Sequence, residues 1–86
     1  MQLLSLPKRL FYEQGSRLAI FLVKRRIKKR PKDPGLWLVL ARLYEVRSEL
    51  PTAVQTLERA LTLCPHNPAL KLHLDRLRAG HVTTFQ

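Results

Sequence analysis

Three histidines, His66, His73 and His81, and one cysteine, Cys64, are the side chains best suited to proton transfer, metal ligation or nucleophilic attack in this chain. Their surroundings in the sequence support none of these. No carboxylate stands at a spacing that would orient an imidazole, no metal-ligand pattern is completed, and no glycine-rich loop follows a strand to cradle a phosphate. The histidines read as ordinary surface polar residues. Cys64, at a helix end beside Pro65, reads as a small packing residue. The expectation is a chain that is not an enzyme and takes no cofactor, metal or small-molecule substrate.

What the sequence does concentrate is charge. Sixteen Lys and Arg stand against six Asp and Glu, for a formal charge of +10 over 86 residues. Residues 1–34 hold ten basic and two acidic side chains (+8), and residues 35–86 hold six and four (+2). The densest part is KRRIKKRPK, Lys24 to Lys32. Such a surface repels copies of itself and favours acidic protein, nucleic acid or anionic lipid. A domain of this size is only marginally stable alone, so a partner is expected. With one cysteine an internal disulfide is impossible, which suits a reducing compartment. The apolar run LAIFLV, Leu18 to Val23, is too short to span a bilayer, and no small-residue cleavage site follows it. We therefore expect a cytoplasmic protein, or one held peripherally at a membrane. The basic, acid-poor segment from Met1 to Lys32 also shares the composition of an organellar transit peptide, a minor alternative.

Prolines define the elements that must present this charge. PGLWLVLARL, Pro34 to Leu43, and PALKLHLDRL, Pro68 to Leu77, share Pro, three leucines, Arg and a final Leu in the same places, so that Pro34 is answered by Pro68 and Leu43 by Leu77. Leu36, Leu38 and Leu40 alternate as in a strand, whereas Leu36, Leu40 and Leu43 fall at i, i+4, i+7 as on a helix. PKDP, Pro31 to Pro34, and PHNP, Pro65 to Pro68, decide the matter. Each places Asp33 or Asn67 before a Pro, a capping side chain followed by a residue whose missing N–H costs nothing in the first helical turn. Helices are predicted over Pro34 to Val46, Pro51 to Leu63, with Ala53, Leu57, Ala60 and Leu61 on one face, and from Pro68 to about Ala79. Gly80 is placed to stop the last.

A helical hairpin on the period that separates Pro34 from Pro68 resembles the tetratricopeptide repeat. Its sparse pattern of Trp, Leu, small residue, Tyr, Ala, large apolar residue and Pro is met by Trp37, Leu40, Ala41, Tyr44, Ala53, Leu57 and Pro65, with Ala41 for Gly and Leu57 for Phe. A related helical-hairpin repeat of RNA-processing scaffolds also uses Trp, Tyr and Glu in its first helix, but the proline spacing favours the tetratricopeptide reading. The fold class implied is all-α: antiparallel helical hairpins stacked as a short solenoid with a C-terminal capping helix.

Around the full copy, residues 34–67, the flanks are incomplete. The third copy, residues 68–80, keeps Leu70, Leu74 and Leu77 but has Lys71, Asp75 and Arg78 in place of Trp37, Ala41 and Tyr44, as a cap would. Residues 81–86 read as a flexible tail. Residues 1–33 read as a basic partial repeat in which Ala19 precedes Ala53 by one period. There Gly15 is expected at the turn after a short first helix, about Pro7 to Gln14, with a one-residue slip in register allowed. This gives about five helices.

Two binding surfaces are predicted. In proteins similar to this one, the first helices of successive hairpins line a groove for an extended peptide or a partner helix. Leu38 with Arg42 and Leu72 with Arg76 recur there, and Leu4 with Lys8 lies one period earlier still. These guanidiniums suit the carboxylates of an acidic peptide or a C-terminus; the alternative is that Arg42 simply pairs with Glu45. The asparagines of chaperone-tail-binding members are missing, so that specificity does not carry over. The second surface comes from contrast: where the regular repeat is expected to expose Thr52, Gln55 and Thr56, the N-terminal copy has Leu18, Phe21 and Leu22, followed by Arg25, Lys28 and Lys29. Either a partner docks on this outer face or the chain's own MQLLSL covers it, and the basic run alone also suits the negative end of a helix. The sequence favours a protein-binding adaptor or small subunit of a larger complex. The alternative is a peripheral membrane-associated or RNA-associated basic protein, although no aromatic residues interleave with Lys24 to Lys32 to stack bases.

Overall fold

The computed structural model describes residues 8–80, with side chains from Gly15 onward. Four α-helices occupy that span: α1 (Lys8–Lys29), α2 (Pro34–Val46), α3 (Leu50–Leu63) and α4 (Pro68–Arg78). The caps follow from the two proline motifs. Asp33 holds extended backbone and its Oδ1 accepts from the Gly35 N–H at 3.0 Å, while Asn67 Oδ1 accepts from the Leu70 N–H at 3.0 Å. Each satisfies one of the orphan donors of a helix start.

The turn between α2 and α3 is a Schellman motif. Glu49 N–H donates to the Tyr44 carbonyl at 2.8 Å, Ser48 N–H to the Glu45 carbonyl at 2.9 Å, and Ser48 takes the left-handed φ of 60°. A left-handed residue also follows α4, where Gly80 has a φ of 87°.

The N-terminal third departs from expectation. One helix runs without interruption from Lys8 to Lys29, so Gly15 lies inside it rather than at a turn, and four helices replace the anticipated five among the described residues. A helix-interior glycine costs only about 1 kcal/mol relative to alanine. No proline stands within this stretch to impose a break. Pro7, the Leu4–Lys8 pair, the MQLLSL segment, His81 and the 81–86 tail lie outside the residues whose placement is described in full.

Each helix packs against its neighbours in the chain, α1 on α2, α2 on α3 and α3 on α4. The core is built from the repeat pattern: Trp37, Leu40, Ala41, Tyr44, Ala53 and Leu57 are all buried, joined by Ala60, Ile27 and the α4 leucines 70, 74 and 77. Ala41, Ala53 and Ala60 let the backbones approach closely, as small residues at helix crossings do. Trp37 Nε1 donates to the Pro31 carbonyl at 2.7 Å and Cys64 Sγ to the Lys32 carbonyl at 3.4 Å. Both bonds hold the α1–α2 turn against the hairpin. Cys64 thus packs and ties a loop, in keeping with its position at a helix end. On α4, Lys71, Asp75 and Arg78 are exposed, and Arg78 Nη2 reaches Glu58 Oε2 at 2.7 Å.

Candidate partner-binding surfaces

The first helices α2 and α4 carry the predicted groove residues. Leu38 is half-buried against the core, Arg42 and Arg76 are exposed, and Leu72 is 54% exposed. Arg42 does not take Glu45 as its partner. That carboxylate is buried and its Oε2 lies 2.7 Å from His73 Nε2 of α4. No ion pair of Arg42 or Arg76 is found among the described residues. Each of the two exposed guanidiniums follows a leucine by one turn on its own helix.

His73 is a correction to the sequence reading. It is no ordinary surface residue: its side chain is 12% exposed and bridges the two first helices through Glu45. The repeat register carries no signal for it, since the counterpart of His73 is Val39, which is 46% exposed; only the placement of α4 beside α2 brings the imidazole to Glu45. His66, by contrast, is exposed. No group of three or more His, Cys, Asp or Glu able to hold a metal occurs among the described residues.

The outer face of α1 is open. Leu18, Phe21 and Leu22 are 60%, 56% and 46% exposed, and Arg25, Lys28 and Lys29 beside them are exposed too. The Arg25 guanidinium lies over the Phe21 ring, 5.8 Å from its centroid, so charge and apolar surface form one patch. The opposite side of α1 carries Ser16, Ile20, Val23 and Ile27 toward the core. Of the three α3 residues expected outside, only Gln55 is exposed; Thr52 is half-buried and Thr56 is 8% exposed. Thr56 tolerates burial by donating its hydroxyl to the Thr52 carbonyl at 2.8 Å.

Where α1 gives way to α2, Arg26, Lys29, Arg30, Asp33 and Leu36 line an open cleft of about 460 Å³. It extends the basic surface around the end of α1. No described helix is long and apolar enough to cross a membrane.

Two antiparallel hairpin helices wedged by a Trp and a Tyr, with small residues at their crossing, define an α-helical repeat. Residues 34–74, which take in α2, α3 and most of α4, match the tetratricopeptide repeat family, and this segment is a tetratricopeptide repeat. No curated protein and no solved structure matches the chain.

Proposed function

We propose that the chain is a non-catalytic protein-binding module, an adaptor or small subunit of a larger assembly, whose α2–α4 groove takes an acidic peptide segment. Tetratricopeptide repeats generally mediate protein–protein interaction. The observation that carries the finer reading is the pair Arg42 and Arg76, one repeat apart, both exposed and free of ion pairs among the described residues. Leu38 and Leu72 supply apolar contact beside them. A carboxylate meeting either exposed guanidinium gains about 0.2–1 kcal/mol, and a bidentate geometry adds to the specificity of the contact.

The test is fluorescence anisotropy with a labelled peptide ending in consecutive glutamates and a free C-terminal carboxylate. Arg42→Glu combined with Arg76→Glu is expected to weaken binding at least about ten-fold, the effect of ~1.4 kcal/mol, with helicity unchanged. Equal affinity in the double variant, or no preference of the parent for this peptide over a lysine counterpart, would remove the groove from the account.

A further inference from the structure

The open side of α1 corresponds, in the repeat register, to a side that α3 packs against a neighbour. In α3 the side bearing Thr56, Ala53 and Ala60 is buried, at 8%, 0% and 0% exposure. The counterparts one period earlier are Leu22, Ala19 and Arg26, of which Leu22 and Arg26 are exposed and Ala19 only half-buried. The difference lies in the neighbours: α3 packs between α2 and α4, whereas α1 packs chiefly on α2 among the described helices. The equivalence of the two helices is supported on their shared side, where Ile20 and Ile27 of α1 meet the core as Val54 and Leu61 of α3 do.

A second, separate sign comes from α2. His73 of α4 is covered by Glu45 of the preceding first helix, but its counterpart Val39 is 46% exposed. A helix placed before α2 as α2 is placed before α4 would cover Val39 and the side of α1 that bears Leu18 and Leu22 together, with Phe21, the counterpart of the exposed Gln55, at the edge of the contact. One added neighbour thus accounts for both exposures.

We infer that this position is filled by an amphipathic α-helix of a protein partner, lying antiparallel to α1 as α2 lies to α3, with acidic side chains in its N-terminal half. Antiparallel packing sets the N-terminal half of that helix beside the C-terminal half of α1, where Arg25, Arg26 and Lys29 stand exposed. Carboxylates there face these cations and also favour their own helix N-terminus. A second copy of this chain is the weaker occupant, because its formal charge of +10 opposes self-association. This surface is distinct from the α2–α4 groove and stands whether or not the groove binds a peptide.

The test uses the full chain and synthetic helical peptides with leucine at i, i+3, i+4, i+7, labelled for fluorescence anisotropy. One carries glutamates in its N-terminal half, one in its C-terminal half, and one carries lysines. The N-terminal glutamate peptide should bind most tightly, at least about ten-fold above the lysine peptide, and raised salt should weaken it. Leu18→Thr, Phe21→Gln and Leu22→Thr together should lower its affinity about ten-fold or more while circular dichroism stays unchanged. Arg25→Glu with Lys29→Glu should invert the preference in favour of the lysine peptide, a result that does not depend on the triple variant. Indifference to peptide charge would overturn the proposal. So would unfolding of the triple variant, which would assign the face to the chain's own core. Light scattering that showed a dimer abolished by the triple variant would give the position to a second copy. Binding to phosphatidylserine vesicles or polyuridylate that the triple variant lost, without peptide binding, would assign it to lipid or RNA.

Discussion

Glu45 sits with its side chain fully buried between two first helices, where His73 Nε2 meets its Oε2 at 2.7 Å. A carboxylate out of water needs its hydrogen bonds, and shortening a partner exposes the desolvation cost. His73→Ala should therefore destabilise the chain by about 1–3 kcal/mol, read as a lower urea midpoint. An unchanged midpoint would show the contact to be incidental. Trp37 acts at the same scale. It is 6% exposed and donates to the Pro31 carbonyl, so Trp37→Ala should cost about 3–5 kcal/mol, enough to unfold or nearly unfold a domain this small. A melting temperature within a few degrees of the parent would contradict its role as the wedge. Trp37 is legible in the sequence because type, spacing and family pattern agree. The Glu45–His73 contact is not, because its members belong to different helices with all of α3 between them in the chain, and only the side-by-side placement of α2 and α4 joins them.

At the level of elements, local chemistry can be read wherever a single residue has a single structural use. Asp33-Pro34 and Asn67-Pro68 cap helices and little else, and α2 and α4 begin there. Gly15 is ambiguous, since a glycine serves a turn or is merely tolerated in a helix. In the structure a Cβ built on Gly15 meets nothing within 4 Å. Gly15→Ala should thus stabilise the chain by about 0.5–1 kcal/mol; destabilisation would restore the turn. Ser48 makes the opposite case. Its φ of 60° belongs to the Schellman turn, where an L side chain is strained, so Ser48→Gly should raise the unfolding free energy by about 1 kcal/mol. A lower melting temperature in that variant would show that the serine side chain, not the turn geometry, decides the site. Thr56 contradicts its expected exposure because residue type is a poor guide to environment when a hydroxyl is satisfied within its own helix.

For the molecule as a whole, one repeat with a polar-backed α4 at one end and an open α1 at the other leaves two faces of different character. The α2–α4 side offers separated leucine and arginine pairs, suited to an extended acidic segment. The α1 side offers contiguous apolar surface beside cations, suited to a helix. The central claim, that the chain binds a protein partner through the α2–α4 groove, is tested most directly by residue-resolved NMR. Titrating the glutamate-rich peptide into the isotope-labelled chain should shift the amide resonances of Leu38, Arg42, Leu72 and Arg76 together, saturably, and less at high salt. Shifts confined to exposed positions of α3 such as Gln55, Arg59 and Thr62, or no saturable shift at all, would contradict it.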